Sequence, residues 1–104
     1  MKEAKKLALK ELEGLKKSLK GVKPDLDAIE THLNSLPLFH RVIYRSDKKG
    51  ELEIYYGSMT LKIFINCGII NINEHLELWN GDDQGFLGTF TPKTLGMECS
   101  GELD

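Results

Sequence analysis

Cysteine is scarce in this chain, and its scarcity excludes two classes of small protein. The 104 residues include two cysteines, Cys67 and Cys99, whose spacing matches no metal-binding or redox motif. Two cysteines can form one bridge, but nothing in the sequence requires it. We expect two free thiols in a reducing cytosol, with Cys67 buried as a small apolar residue. The sequence therefore argues against a disulfide scaffold and against a cysteine-bound metal.

Long apolar runs are also missing. No stretch approaches the ~20 residues that a membrane-spanning helix requires, and Leu7–Leu9 is too short and too interrupted by charge for the core of a signal peptide. With 40% apolar and 29% charged residues, the composition is that of an ordinary globular protein. At this length we expect a single domain over residues 1–104, in the cytoplasm and without a membrane partner.

Each half of the chain is poor in charge of one sign. Residues 1–50 contain 12 of the 14 lysines and arginines but only 7 acidic residues, a net charge of +5. Residues 51–104 contain 2 basic and 9 acidic residues, a net charge of −7. The overall charge of −2 therefore hides a basic half followed by an acidic half. Local fields select partners, so this split is more informative than the net charge.

The first third of the chain has the periodicity of two helices. Residues 2–20 are rich in strong helix formers, and Leu7 widens an apolar stripe with steps of three and four. The stripe consists of Ala4, Ala8, Leu12, Leu15, Leu19 and Val22. Gly21 ends the first helix, Pro24 suits the first turn of a second, and Pro37 ends that one. The short connection predicts an antiparallel helix hairpin.

After Pro37 the apolar period changes from 3.6 to 2, which is typical of strands. Six strands are predicted: Arg41–Ser46, Glu51–Gly57, Met59–Asn66, Gly68–Asn73, His75–Asn80 and Phe86–Thr91. Turn signals lie between them, including residues 47–50 and 80–83. Because the loops are too short for crossovers, we expect each strand to pair antiparallel with its neighbour in sequence.

These patterns together predict an α+β fold, an N-terminal helix hairpin packed on one face of a five- or six-stranded antiparallel sheet. The single domain then divides into three parts: the helix hairpin of residues 1–36, the sheet of residues 40–91, and an acidic tail or edge strand of residues 92–104.

Strict alternation sorts the strand residues onto two faces. One is almost wholly aliphatic and is expected beneath the helices: Val42, Tyr44, Leu52, Ile54, Tyr56, Leu61, Ile63, Ile65, Ile70, Ile72, Leu76 and Leu78. The other is mixed: Arg41, Ile43, Arg45, Glu51, Glu53, Tyr55, Thr60, Lys62, Phe64, Asn66, His75, Glu77 and Trp79. Two helices cannot cover both sides of such a sheet, so we expect the mixed face to be open.

The mixed face is the strongest candidate for a functional surface. Ile43 and three aromatic residues are expected to form an apolar centre within a ring of charge, as protein-binding surfaces do. The candidate partner-binding residues are the anchors Tyr55, Phe64 and Trp79 and the steering residues Glu53, Glu77, Asp82 and Asp83. Other interpretations stay open: the aromatic residues are scattered, the tail or last strand covers them, or they line a ligand pocket. A one-residue slip in register would also exchange the two faces.

Motifs that would indicate catalysis or a cofactor are weak or missing. None of His32, His40 and His75 is spaced from another histidine or a cysteine as metal ligands are. His75 and Glu77 share a strand face, but no nucleophile or second base accompanies them. The Asp82–Asp83 pair lacks the alternating oxygen ligands of a calcium loop, and the glycines near it form no phosphate loop. We expect no metal, no cofactor and no enzymatic activity.

Lysines on the first helix raise the question of nucleic acid. They would form a positive face and bind phosphate without regard to sequence: Lys2, Lys5, Lys6, Lys10, Lys16, Lys17 and Lys20. No arginine accompanies them for base reading, and the acidic second half would repel a phosphate backbone. A solvated outer face of an amphipathic helix is the simpler interpretation.

The sequence-based hypothesis is a small non-catalytic protein-binding module, such as an inhibitor, an immunity-type factor or an adaptor. Its partner would be another protein, one with a basic surface being a good match for the acidic half. The alternatives are a homodimer that buries the mixed face, and a nucleic-acid binder that uses the lysine-rich helix. A mechanism based on His75 and Glu77 is the least favoured.

Overall fold

The computed structural model describes residues 2–73, 75–79 and 86–90. Its elements in chain order are α1 (Lys2–Ser18), a 3-10 turn (Leu19–Gly21), α2 (Leu26–Leu33), β1 (Phe39–Ser46), β2 (Glu51–Tyr56), β3 (Met59–Asn66), β4 (Ile69–Ile72), β5 (Leu76–Trp79) and β6 (Phe86–Phe90). The α+β class and the antiparallel sheet are confirmed. The predicted turn at residues 80–83, the segment 92–104, and with them Asp82, Asp83 and Cys99, lie outside the described residues.

Helix α1 follows the predicted amphipathic pattern. Its buried residues recur along one side, and they continue into the 3-10 turn: Ala8, Leu12, Leu15 and Leu19. The expectation that Leu7 widens this stripe is wrong, because Leu7 is 53% exposed. It lies on the flank of the helix, beyond the arc that faces the sheet. No helix in the described parts of the chain has both the length and the apolar character to cross a bilayer.

Helix α2 is short and begins later than predicted. Asp25 has an extended backbone and its side chain accepts a hydrogen bond from the Ala28 amide at 3.3 Å, so Asp25 is the N-cap. Pro24 therefore precedes the cap instead of occupying the first helical turn. The two helices are joined by His32, whose Nε2 lies 3.1 Å from Ser18 Oγ. Since the Ser18 hydroxyl donates to the Leu15 carbonyl, His32 Nε2 is the donor in this pair.

The sheet has six strands in the order β1-β2-β3-β5-β6, with β4 also pairing with β3. Strands β4 and β5 both pair with β3, at different points along it, and the expected pairing of each strand with its sequence neighbour is wrong there. Asn73 bridges the gap between them. Its backbone amide donates to the Lys62 carbonyl, its Oδ1 accepts from the Lys62 amide, and its Nδ2 donates to the His75 carbonyl. The backbone amide and carbonyl of Lys62 are therefore both hydrogen-bonded to Asn73 at the point where β4 and β5 are interrupted.

Two-residue turns close the hairpins on either side of β3. Gly57, with φ +60°, begins the turn between β2 and β3. Cys67 and Gly68, with φ of +57° and +69°, form the turn between β3 and β4. Two successive positive φ values are typical of the type I′ turn, which suits the twist of a hairpin. The expectation that Cys67 is a buried apolar residue is therefore wrong, since it is an exposed free cysteine at a turn.

A β-bulge in β1 changes which residues face the helices. Val42 lies opposite Ile54 but Tyr44 lies opposite Glu53, so Ile43 is an extra residue between them. Beyond the bulge the faces are exchanged. Tyr44, expected beneath the helices, is 44% exposed on the mixed face. Arg45, expected on the mixed face, lies opposite Leu52 and reaches the side of α2.

The core lies between the helices and one face of the sheet, which we call the covered face. Its most deeply buried strand residues are aliphatic with one methionine: Leu52, Ile54, Met59, Leu61, Ile63, Leu76 and Leu78. Met59 follows the same alternation but was not among the residues expected there. Because the helices occupy this face, the opposite face carries the remaining strand side chains.

Candidate partner-binding face

The opposite face of the sheet, which we call the open face, is defined by its cross-strand pairs. Its residues are Arg41, Tyr44, Glu51, Glu53, Tyr55, Thr60, Lys62, Phe64, Glu77 and Trp79. All of these except Trp79 fall into three rows across the strands, and the third row also includes Asn71. The first row is Arg41, Tyr55, Thr60 and Glu77; the second is Tyr44, Glu53 and Lys62; the third is Glu51, Phe64 and the buried Asn71.

The row containing Glu53 and Lys62 lies between Tyr55 and Phe64, and Tyr44 is at its β1 end. Tyr55 lies one row to one side of it, and Phe64 lies one row to the other. Ile43 has no partner in the β1–β2 register because it is the bulge residue. The expected single apolar centre within a ring of charge is therefore wrong in its arrangement. Tyr55 and Phe64 mark two ends of the face, and the charged pair Glu53 and Lys62 lies between them.

Tyr55 and Trp79 mark one of these ends. The Arg41 guanidinium lies over the Tyr55 ring, 4.9 Å from its centroid, in cation–π geometry. The Trp79 indole Nε1–H donates to Thr60 Oγ1 at 2.8 Å. Both aromatic side chains are half-buried, as is Phe64 at the other end. These contacts fix the ring orientations while leaving part of each aromatic surface accessible.

An open depression of about 380 Å³ lies in the middle of the face. Strand β3 supplies its floor with Thr60, Leu61 and Lys62, and Glu53 and Glu77 stand on the flanking strands β2 and β5. Asn73 and His75 complete the lining. Lys62 Nζ is 3.8 Å from Glu51 Oε2, whereas neither Glu53 nor Glu77 has an ion-pair partner within the described part of the chain.

The candidate acid–base pair of the sequence lies in this lining. His75 and Glu77 do line the same depression, as their shared face predicted. Among the described residues of the lining there is no cysteine or serine for them to activate, and Thr60 Oγ1 accepts the indole N–H. Among the described residues, no three histidine, cysteine or carboxylate side chains come together as a metal site.

Arg45 forms a second charged cluster, on the helix side of β1, that sequence alternation missed. Its Nη1 lies 2.5 Å from Glu30 Oε2 and 3.0 Å from Asp27 Oδ1, and its Nε lies 2.5 Å from Asp47 Oδ1. Hydrogen bonds to Asp47 and Glu30 raise the pKa of Arg45 above its ordinary value. The cluster ties α2 to β1 and to the following turn, which indicates a structural role.

Glu11 is the least well accommodated ionisable group of the described chain. Glu11 Oε1 is buried and has no hydrogen-bond partner among the described residues. The same oxygen lies close to Gly57, and a Cβ added to that glycine would be 2.7 Å from it. Burial raises the pKa of Glu11. Burial, and then the charge of Glu11, raise the pKa of Tyr56. Close packing of α1 on the turn at Gly57 thus leaves a carboxylate poorly solvated.

The lysines of α1 lie on the other side of the molecule from the open face. Helix α1 packs on the covered face through its apolar stripe, and Lys6, Lys10 and Lys17 are exposed on its outer side. These three lysines are therefore far from the carboxylates of Glu53 and Glu77 on the open face.

Comparison with known proteins adds no relative. No family model, no curated protein and no solved structure matches the chain.

Proposed function

We propose that this chain is a non-catalytic protein-binding module, of the inhibitor, immunity-factor or adaptor type, and that it binds its partner through the open face. The observation that supports this most directly is a sheet face that carries Tyr55, Phe64 and Trp79 half-buried together with the carboxylates of Glu53 and Glu77. Aromatic residues with two torsions lose little entropy on binding, and unpaired carboxylates attract a partner of opposite charge.

The two carboxylates that line the depression favour a protein partner over nucleic acid. Phosphates would meet Glu53 and Glu77 in the depression, whereas Lys62 is already close to Glu51. A basic protein surface would meet complementary charge there. Such complementarity speeds encounter and selects among partners, while the aromatic ends supply contact area. A reducing, cytoplasmic setting is part of this proposal.

Site-specific photo-crosslinking in the cell of origin tests the proposal. A benzophenone amino acid replaces Tyr55 in one variant and Phe64 in another, and Lys10 on the outer side of α1 in the matched control. We expect one heterologous protein adduct from both open-face positions and none from the control. Adducts of equal yield from Lys10, or none from either open-face position, would contradict the proposal.

A homodimer that buries the same face is the outcome to separate from this one. It would give adducts of twice the chain mass at Tyr55, and sedimentation velocity would show association that increases with protein concentration. A monomer across that concentration range, together with a heterologous adduct, supports the binding module.

A further inference from the structure

We infer that the depression on the open face receives an arginine side chain of the protein partner. This inference rests on the proposed function and names the chemical group that the site recognises. The charged residues of the face are unevenly paired. The two cations, Arg41 and Lys62, are engaged with Tyr55 and Glu51, while Glu53 and Glu77 lack ion-pair partners among the described residues.

The strand order sets the geometry of the two carboxylates. Glu53 on β2 and Glu77 on β5 stand on opposite sides of β3, which lies between those strands. Neighbouring strands are ~4.8 Å apart, so the backbones of β2 and β5 are ~10 Å apart. Both glutamates line the depression, one on each side of the floor that Thr60 and Lys62 form. The depression of about 380 Å³ at this place has space for one planar cation.

A guanidinium fits this arrangement better than an ammonium or an anion. It has five N–H donors spread in a plane and no acceptor, so it can donate to carboxylates on two sides at once. An ammonium is a compact point charge that would pair with one wall. An anion would meet Lys62 but also both carboxylates. The Arg41–Tyr55 contact shows that an aromatic residue at the edge of this face stacks on a guanidinium.

The test is an NMR titration of the ¹⁵N-labelled full chain at low salt with the blocked peptide Ser-Gly-Arg-Gly-Ser. Peptides with citrulline, lysine or glutamate in place of the arginine serve as comparisons; citrulline keeps the shape and loses the charge. We expect saturable shift changes at the amides of residues 53, 60, 62 and 77 with the arginine peptide. The citrulline peptide should produce almost none, and the lysine peptide weaker ones.

The variant pair then assigns the effect to the two carboxylates. Glu53→Gln with Glu77→Gln should weaken the arginine peptide about tenfold, since each exposed charge pair contributes up to ~1 kcal/mol. Glu3→Gln with Glu13→Gln removes the same charge from α1 and should change the affinity less than about twofold. Should the Glu53/Glu77 variant fail to fold, the location of the shifts in the unmodified chain still decides.

Several results would overturn the inference. Chemical-shift changes spread over the whole surface would do so, as would an equal response to the citrulline, lysine or glutamate peptide. So would an equal loss of affinity in the Glu3/Glu13 control variant. Shift changes at residues 53, 60, 62 and 77 that depend on protein concentration in the absence of peptide would also overturn it. A negative titration beside a heterologous adduct at Tyr55 would overturn the arginine assignment and leave the binding module intact. Loss of both would overturn the proposed function as well.

Discussion

The two faces of the sheet are made by the same strands but are organised by different requirements. On the covered face Leu52, Ile54, Leu61 and Ile63 are all fully buried. On the open face their immediate neighbours along the chain alternate between carboxylate, lysine and aromatic side chains. Burial of apolar area specifies the first face, because any polar residue there would lose its hydration. Stability does not specify the second face to the same degree, so its composition carries more information about binding.

Two tyrosines that alternation assigned to the same face are expected to show the largest difference in their contribution to stability. Tyr56 is 4% exposed and Tyr44 is 44% exposed. Tyr56→Ala should lower the free energy of unfolding by about 3 kcal/mol, as truncation of a buried aromatic residue does. Tyr44→Ala should lower it by less than about 1 kcal/mol. Urea denaturation followed by circular dichroism measures both, and equal losses would contradict the exchange of faces at the bulge.

A smaller difference in stability is expected between variants of Arg45 and Arg41, which lie on opposite faces of β1. Arg45→Met leaves Asp27, Glu30 and Asp47 close together without their shared cation, so it should lower the free energy of unfolding. The loss should be smaller than that of Tyr56→Ala and should shrink when salt screens the carboxylates. Arg41→Met on the open face is the control and should change stability less. The same urea measurement at two salt concentrations decides, and a larger effect at Arg41 would refute the assignment.

On the open face itself, Thr60→Val removes the acceptor of the Trp79 indole N–H without changing side-chain shape. We expect a loss of about 1 kcal/mol in the free energy of unfolding, because the hydrogen bond from the indole to Thr60 is removed. Trp79 is the single tryptophan, so its fluorescence reports directly on this site. Thr89→Val on β6 is the control, since Thr89 is exposed. If the emission and stability of the two variants do not differ, the hydrogen bond does not orient the indole.

The smallest effect concerns Glu11, the carboxylate that α1 brings against the sheet. Its pKa is raised in the folded chain, so the folded state holds the proton more tightly than the unfolded state. Stability from this group is present below the unfolded-state pKa, about 4.3, and is lost as the pH rises through the folded-state pKa.

Glu11→Gln should therefore stabilise the chain at neutral pH, by no more than about 1 kcal/mol, and flatten the decline of stability above pH ~4. Thermal and urea unfolding across this pH range measure the effect. Glu3→Gln in the exposed first turn of α1 is the control and should slightly destabilise, because it removes a charge that the helix dipole favours. If the stability of Glu11→Gln declines just as steeply with rising pH, Glu11 is not the source of that decline.

Much of this fold could be predicted from periodicity alone, because apolar spacing changes from 3.6 to 2 at Pro37. The six strands and the buried stripe of α1 follow from that pattern. What failed was local: the bulge at Ile43, the positive φ of Cys67, and the shared pairing of β4 and β5 with β3. Each depends on backbone geometry at one or two residues, which the pattern of apolar residues does not encode.

Alternation predicted which of several residues share a sheet face, but it did not predict how they are arranged on that face. Tyr55, Glu53, Phe64 and Glu77 lie on the face that alternation assigned to them. The order in which they follow one another across the sheet depends on cross-strand register, which a single strand does not reveal. The role of Asp82 and Asp83 in steering a partner stays a prediction.

The bulges in β1 have a consequence for how this chain can meet another. Strand β1 is at the edge of the described sheet, and its register shifts twice, between Phe39 and Arg41 and between Val42 and Tyr44. A regular edge strand offers an unbroken ladder of amides and carbonyls on which a foreign strand can add. Interrupted in this way, β1 is a poor template for edge-to-edge growth into fibres. The binding proposed above would therefore use the side chains of the sheet surface and not this edge.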